Sequence, residues 1–360
     1  MKRHFIIDTH SDTLMYMIDQ GWELNDDRLQ VSLNKMQNGG HDLQVFACFV
    51  NPAVGKDRYI SRALQMIDLL KTQVKKNRKE IVLCNSMNEI KKARLAGKKI
   101  ALLGIEGGHA IQNDLSILRC YRDLGVIYMT LTWSNTNDWA DSSNDEERWG
   151  GLTDFGHEVV QEMNRIGMIV DISHVSDKAF WHALDTSTRP MIASHSSVRT
   201  LCNHPRNMSD EMIQALAAKG GVIFINFYPV FIHQGFSDAY EKLAKRLKKR
   251  IEKMQERYQT KPEMAGYEED QIMQAEKDSL PAVKMKDVIR HIEYVAKIAG
   301  VESVGLGSDF DGTAFMPEDM PDCTSLPRLC EELQKRKFKA SGIDKIASGN
   351  FLRVFSETVG

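Results

Sequence analysis

The 360-residue sequence lacks an excess of charge of either sign. Its 47 lysines and arginines face 49 aspartates and glutamates, and the formal net charge is −2. A chain with this balance offers no global attraction to nucleic acid or to an anionic membrane surface. We therefore expect a small-molecule partner, and neither a nucleic-acid nor a membrane partner.

Long apolar runs are also missing. No stretch approaches the roughly 20 apolar residues that span a bilayer, and the apolar run near the start is too short for a secretion signal. We expect a cytoplasmic protein. The six cysteines are scattered without a Cys-x-x-Cys pair, so we expect reduced thiols, mostly in the core, and no thiolate metal ligands.

Eight short apolar runs rich in β-branched residues recur along the chain, and segments with helical periodicity separate most of them. The runs cover residues 5–8, 43–50, 100–105, 126–131, 168–172, 191–194, 222–226 and 303–307. Repeated strand–helix units indicate a parallel sheet, and eight of them favour an α/β fold of the TIM-like (β/α)₈ barrel class. A doubly wound open sheet is the alternative. The length fits a single barrel domain over residues 1–360 with enlarged loops.

Two segments depart from this alternation. Residues 137–151 are polar and end in two glycines, which predicts a long loop that could act as a lid. The other segment is a helical insertion at about 232–282, before the last strand. Its apolar residues Leu243, Leu247, Ile251 and Met254 recur at helical spacing, so we predict a solvated amphipathic helix packed on the barrel.

Residues that can bind metal ions stand at the ends of five predicted strands. They are His10, Asp12, Glu106, His174, His195 and Asp309. Because barrel strands present their C-terminal ends at one mouth, we expect these six side chains to share a pocket. Nitrogen and oxygen donors without thiolates suit Zn²⁺, and Mn²⁺, Co²⁺ or Fe²⁺ are also compatible with them.

The number of donors indicates two ions. Three histidines and two carboxylates exceed the three protein ligands of one catalytic zinc, and two cations that share a carboxylate use the surplus. Such a pair can deprotonate a water between them and polarise a carbonyl. His10 and Asp12, two residues apart on an extended strand, would bind one ion together. Gly107 and Gly108 would leave room beside Glu106 for a metal or substrate.

Asp309 is the predicted proton carrier, which would take a proton from the activated water and deliver it to the leaving group. Asp311 is the competing candidate. The remaining histidines are interpreted as structural, because a single histidine is more often hydrogen-bonded in a fold than bound to metal. They are His4, His41, His109, His157, His182, His204, His233 and His291.

Seven motifs in order resemble those of the membrane (renal) dipeptidases and their bacterial relatives among the metal-dependent barrel hydrolases. They are DTHSD at 8–12, GIEGGH at 104–109, DISHVS at 171–176, SHSS at 194–197, RN at 206–207, NFY at 226–228 and GSDFDG at 307–312. Each motif alone is weak, but seven at fitting separations make a specific signal. Residues 350–355, NFLRVF, also look like the closing helix of that family.

The resemblance implies a zinc-dependent dipeptidase with two zinc ions per chain. The implied ligands are His10 and Asp12 for one ion, His174 and His195 for the other, and Glu106 for both. Asp309 matches the acid/base residue of the family. Arg206 matches the arginine that holds the free carboxylate of the dipeptide, a role suited to a planar guanidinium. A homodimer, and activity on L,D as well as L,L dipeptides, are further expectations of the resemblance.

One residue departs from the family pattern. The best-known members have histidine after Thr-Leu-Thr on the fourth predicted strand, where it helps to bind substrate, and this chain has Trp133. An indole donates one hydrogen bond but cannot become cationic. None of the five implied metal ligands is lost, so we expect metal binding to be unaffected. We expect Trp133 to contact substrate and to alter the dipeptide preference.

Two other functions remain open at this point. One is a different binuclear amidohydrolase, of the deaminase or lactonase type. Such relatives often bridge their metals with a carboxylated lysine on the fourth strand, where Trp133 stands here. The other is a non-catalytic binding protein with a degenerate pocket, against which the full ligand set argues.

Overall fold

The computed structural model describes residues 3–39 and 41–360. Eight parallel strands form the barrel: β1 (Ile7–Ser11), β2 (Leu43–Phe49), β4 (Lys99–Glu106), β5 (Val126–Thr130), β6 (Ile169–Asp171), β7 (Ile192–Ser196), β8 (Val222–Ile225) and β9 (Val304–Leu306). They neighbour one another in this order, and a short strand β3 (Ile81–Leu83) pairs with β4 beside the barrel. Every residue of β4 is buried, as expected for a strand covered on both faces.

The first and last strands meet, so the sheet is nearly closed. Ser11 forms a parallel bridge with Phe310, just beyond β9. The backbone N–H of Asp309 donates to the carbonyl of His10 at 3.2 Å. The hydroxyl of Thr9 donates to the carbonyl of Leu306 at 3.1 Å. These contacts confirm the TIM-like barrel and exclude the doubly wound sheet, in which the outermost strands remain apart.

Helices lie between the strands. They are α1 (Thr13–Gln20), α2 (Leu33–Gly39), α3 (Tyr59–Lys76), α4 (Met87–Leu95), α5 (Leu115–Asp123), α6 (Asp154–Ile166), α7 (Asp177–Thr186), α8 (Asp210–Ala218), α9 (Pro229–Ile232), α10 (Gln234–Glu256), α11 (Ala265–Gln274), α12 (Met285–Ala299), α13 (Leu326–Lys335), α14 (Ala340–Asp344) and α15 (Asn350–Thr358). The hydroxyls of Ser86, Thr153, Ser176 and Ser209 each accept a backbone N–H and begin α4, α6, α7 and α8.

All eight predicted strands are present, but their limits shift. The first strand was predicted at 5–8 and lies at Ile7–Ser11. Its second half carries His10 and Ser11, whose polar side chains give no apolar signal. β3 was not predicted, because three apolar residues between charged helices are too short a run to identify.

The two segments that interrupt the strand–helix alternation have the predicted local structure, a loop and a helix. Residues 137–151 form a loop, and the carboxylate of Asp141 holds it by accepting the backbone N–H groups of Arg148, Trp149 and Gly151. The insertion folds into α10 and α11, directly after the short helix α9. In α10, Leu243, Leu247 and Met254 are buried and the charged residues face outward.

No helix among the described residues is long and apolar enough to cross a membrane. The six cysteines are unpaired within this part of the chain, and all except Cys120 are buried. Five of the six cysteines therefore lie in the core, where they were expected.

Candidate metal centre

The barrel brings the five predicted metal ligands together at the C-terminal ends of its strands. His10 lies on β1, Glu106 ends β4, His195 lies on β7, and His174 follows β6. Three groups of donor atoms each lie within 4.8 Å of one another among the described residues. They are His10, Asp12 and Glu106; Glu106, His174 and His195; and His10, His195 and Asp309. Glu106 belongs to the first two groups.

The two oxygens of Glu106 face different halves of this cluster. Oε1 lies 2.9 Å from Nε2 of His174 and 3.4 Å from Nε2 of His195. Oε2 lies 3.6 Å from Nε2 of His10. A carboxylate that offers one oxygen to each of two donor groups has the arrangement of a bridging ligand.

Asp12 reaches the cluster by a different route from the one predicted. Its Oδ2 lies 3.5 Å from Nε2 of His10. The residue is not extended: its φ of −93° and ψ of 20° place it at the turn into α1. The alternation of side chains along a strand was therefore the wrong reason for the contact. Asp12 is held there because its N–H donates to the carbonyl of Phe310.

Unpartnered donor atoms indicate that the cluster fits a cation. Nε2 of His10 and Oδ1 of Asp12 are buried and have no hydrogen-bond partner among the described residues, whereas buried polar atoms are nearly always paired. Burial and the nearby Glu106 carboxylate raise the pKa of Asp12 well above its usual value. This pair of carboxylates is destabilised unless a positive charge lies between them.

Two of the three imidazoles, those of His174 and His195, are in the protonation state that metal binding needs. Burial lowers the pKa of His174 and of His195 to about 4, so both rings are neutral at pH 7. Burial alone would raise the pKa of Glu106, but the facing histidines outweigh it and hold that pKa well below its usual value. The donor set at pH 7 therefore suits a divalent cation.

Hydrogen bonds behind the ligands orient two of the rings. The Tyr128 hydroxyl donates to the carbonyl of Thr9 at 3.0 Å, so it accepts from Nδ1 of His10 at 3.0 Å. The Ser194 hydroxyl donates to Asp171 at 2.6 Å, so it accepts from Nδ1 of His195 at 2.8 Å. In both rings the proton sits on Nδ1, and the lone pair of Nε2 is left for a metal.

With added Zn²⁺ as the probe of divalent metal binding, we expect the Tyr128→Phe variant to bind the ion about 10- to 100-fold more weakly than wild type, because His10 loses the acceptor that fixes its tautomer. Titration of metal-free protein against a competing chelator measures this change. Tyr121→Phe is the matched control, since its buried hydroxyl donates to the carbonyl of Ala110 and to no ligand. Equal zinc affinities in the two variants would contradict the assigned role.

Asp309 belongs to the third group, with His10 and His195. Its Oδ1 is 3.9 Å from Nε2 of His10, and its Oδ2 accepts from the amide of Asn226 at 2.9 Å. Its φ of 65° is unusual for a non-glycine residue, as is the φ of 70° at His174. Such conformations cluster at functional sites. Asn226 falls within the NFY motif at 226–228, and the sequence assigned no role to it.

Asp311, the competing proton carrier, has a structural role instead. Its carboxylate accepts the hydroxyl of Thr13 at 2.6 Å and the backbone N–H groups of Gln30 and Val31 at 2.7 and 3.2 Å. These bonds tie the loop after β9 to the segment before α2. The buried carboxylate is saturated by them.

The glycine that gives space to the site is Gly312, not Gly107 or Gly108. A Cβ at Gly312 would stand 2.1 Å from Oδ2 of Asp12 and 2.5 Å from Oδ1 of Asp309. At Gly107 and Gly108 a Cβ would instead meet the rings of His109 and Trp139. Those two glycines allow close packing behind Glu106.

Arg206 lies on the wall of the pocket and is 3% exposed. Its guanidinium donates to the carbonyl of His195 at 3.1 Å and to the hydroxyl of Ser196 at 3.4 Å, while its Nε has no partner in the described part of the chain. Burial lowers its pKa to about 10, which leaves it cationic at pH 7. A buried cation with unused donor capacity can receive an anion.

A cavity of about 160 Å³ connects these groups. Asp12, Glu106, His174, Arg206 and Asp309 line it on the polar side. Trp133 lies on its apolar side and packs on Phe49 with ring centroids 4.7 Å apart. All eight sequence-predicted site residues therefore lie in or directly behind one pocket.

The other histidines have the structural partners that were predicted for them. Nδ1 of His204, His233 and His291 accepts the backbone N–H groups of Arg206, Phe236 and Val198. The rings of His41 and His109 bond the carbonyls of Leu43 and Val50. His4 contacts Asp344, His157 contacts Thr186, and His182 accepts the N–H of Leu152.

The sequence model of the membrane dipeptidases, peptidase family M19, matches residues 1–359. The chain is 31% identical over 382 residues to an uncharacterized dipeptidase, C965.12, of Schizosaccharomyces pombe, with 99% of this chain and 81% of that protein covered. It is 34% identical over 262 residues to the dipeptidase aclJ of Aspergillus oryzae, with 72% of this chain covered; the match spans only 52% of that relative's length. The crystal structure of the probable dipeptidase PvdM from Pseudomonas aeruginosa has the same fold, with a TM-score of 0.86, 24% identity, and 99% and 96% of the two chains covered.

Proposed function

The chain belongs to the membrane dipeptidase family, peptidase family M19, and we propose on this basis that it hydrolyses the amide bond of small dipeptides. Two zinc ions would be held by the five clustered ligands, with Glu106 between them. The observation that carries this proposal is the division of the Glu106 oxygens between two groups of buried donors. The names of the two curated relatives support dipeptides as the substrate class.

The substrate would be anchored by its free carboxylate on Arg206. This guanidinium has an unused Nε donor, is almost fully buried, and lines the same cavity as the ligand cluster. A carboxylate bound there lies at one end of the pocket, so that the amide bond of the dipeptide spans the cluster. A pocket of about 160 Å³ suits a small substrate.

Hydrolysis needs a nucleophile, a polarised carbonyl and a proton for the leaving amine. Divalent cations held by His10, Asp12, Glu106, His174 and His195 would supply the first two, because metal ions lower the pKa of bound water and polarise carbonyl oxygens. Asp309 holds and delivers the proton. The amide of Asn226, which donates to its Oδ2, keeps its Oδ1 turned toward the cluster.

Trp133 is the residue through which this chain would differ from its best-known relatives. It contacts Phe49 and lines the same pocket as the ligand cluster, so its indole would lie against the bound dipeptide and alter the dipeptide preference. From the membership of the family we also propose that L,D dipeptides are accepted as well as L,L dipeptides, and that the active species is a homodimer.

The test is an assay of zinc-loaded protein with L,L and L,D forms of small dipeptides, a lactone and a cyclic amide. We expect release of free amino acids from the dipeptides, loss of this activity in protein stripped by a chelator, and its recovery with zinc. Hydrolysis of the lactone or the cyclic amide without cleavage of any dipeptide would refute the proposal. Such a result would instead favour a different amidohydrolase reaction.

A further inference from the structure

A second cavity, of about 220 Å³, adjoins the pocket at the metal centre. The two cavities share a wall formed by Met15, Phe49, Trp133 and Gly312. Arg206 lines the first cavity but not the second. The second cavity therefore opens from the part of the pocket away from the guanidinium.

Carboxylates dominate the lining of the second cavity. Asp19, Glu263, Glu269 and Asp270 line it, against a single cation, Arg62. Three of these acids come from the insertion, in α11 and the turn before it. The insertion thus builds an acidic wall beside a pocket whose other end carries a buried cation.

All four carboxylates have a partner within the fold. Arg62 pairs with Asp19, and the Tyr16 hydroxyl donates to Asp270. Oε2 of Glu269 accepts from the amide of Gln255 at 3.1 Å. Glu263 is only half satisfied: Oε1 accepts from Arg58 at 2.7 Å, while Oε2 has no donor among the described residues. The side chain of Glu263 is 10% exposed, so water does not compensate freely for the missing bond.

The orientation of the substrate decides which part of it reaches this cavity. With the C-terminal carboxylate on Arg206 and the scissile bond at the ligand cluster, the N-terminal residue points away from Arg206. Its side chain then passes between Met15, Phe49 and Trp133. An extended aliphatic stem suits these three apolar side chains, and a cationic end suits the carboxylates beyond them.

We propose that the second cavity is a specificity subsite for a cationic side chain, of the lysine or arginine type, on the N-terminal residue of the dipeptide. This inference rests on the proposed dipeptidase function. Glu263 and Glu269 carry the recognition, because each keeps one carboxylate oxygen that accepts no hydrogen bond from a described residue. Charge complementarity at a partly enclosed site gives specificity more than raw affinity.

The test compares Lys-Ala with norleucine-Ala, which has the same α-amine and a side chain of similar length without the terminal charge. We expect wild type to have a higher kcat/KM for Lys-Ala, and the ratio of the two values to fall about tenfold in Glu263→Gln and Glu269→Gln. Glu268→Gln is the matched control, because Glu268 neighbours Glu269 but does not line the cavity. A ratio near one in wild type, or one that both lining variants leave unchanged, would overturn the subsite.

Binding of non-hydrolysable phosphinate analogues separates this inference from the proposed function. If the lysine analogue binds more tightly than the norleucine analogue and the lining variants abolish the difference, the subsite stands even where no dipeptide is cleaved. Cleavage of both dipeptides with equal binding of both analogues overturns the subsite alone. Failure of both analogues to bind overturns both proposals.

A steric variant tests the cavity without changing charge. Gly266 lines it from α11, and a Cβ there would have nothing within 4 Å. Gly266→Phe should fill the cavity and lower kcat/KM for Lys-Ala and norleucine-Ala about tenfold or more, while Ala-Ala is cleaved normally. Gly266→Ala is the control and should resemble wild type. An equal loss for all three dipeptides in Gly266→Phe would contradict a side-chain subsite.

Discussion

The Glu106→Gln variant is expected to lose most of its bound metal and more than about a hundredfold in kcat/KM for dipeptides. Outer-shell partners of metal ligands already change affinity or activity by about 10- to 100-fold, and Glu106 is proposed to touch both ions. An amide keeps the volume but has one acceptor oxygen instead of two. It can therefore satisfy one half of the cluster only, and its NH₂ group would face the imidazoles of the other half.

Metal analysis of the purified variant and its dipeptide kinetics measure this effect. Glu158→Gln is the matched control, because Glu158 is exposed on α6. Added zinc should also raise the Tm of wild type more than that of Glu106→Gln, since a ligand bound only by the native state stabilises it. Full metal content with normal activity in Glu106→Gln would refute a bridging role.

The second large effect is expected from Arg206→Met, which keeps an aliphatic side chain but removes the charge. We expect kcat/KM for dipeptides with a free carboxylate to fall about a hundredfold, in the range found when one partner of a buried charge contact is lost. Arg206→Lys should recover only part of this loss, because an ammonium lacks the planar fork that binds a carboxylate through two hydrogen bonds.

Dipeptides in which an amide replaces the C-terminal carboxylate identify the cause of the loss in kcat/KM. They should be poor substrates of wild type and should change little in Arg206→Met. Arg165→Met, an exposed site on α6, controls for general effects of charge removal. If free and amidated dipeptides lose activity equally in Arg206→Met, the residue acts by supporting the His195 carbonyl and Ser196 hydroxyl that it contacts.

Strand periodicity predicted where the candidate ligands would meet, but it did not predict the contacts that hold each of them there. The barrel and the convergence of His10, Glu106, His174 and His195 followed from runs of apolar residues that end in polar ones. Asp12 was assigned correctly to the cluster for the wrong reason, since it lies at a turn held by the Phe310 carbonyl. Local spacing cannot reveal this, because the bond joins residues about 300 positions apart.

The residues that orient the metal ligands could not be predicted from the sequence, for the same reason. Nothing near Tyr128 or Asp171 in the chain indicates that they orient His10 and His195, because each acts on another strand of the barrel. The role of Gly312 also depends on a distant part of the chain. Its lack of a side chain matters because Asp12 approaches it from the turn after β1. These roles depend on distances between neighbouring strands.

The order of short apolar strands, helical segments and polar strand ends determined the barrel, its mouth and the candidate ligands, since periodicity and residue chemistry are local properties of a chain. Only the tertiary structure decided which oxygen of Glu106 faces which imidazole, that Asp311 is saturated by backbone donors, and that the insertion places an acidic cavity beside the pocket. The curvature of the closed sheet and the paths of the loops set these distances, and neither can be read from the spacing of residues.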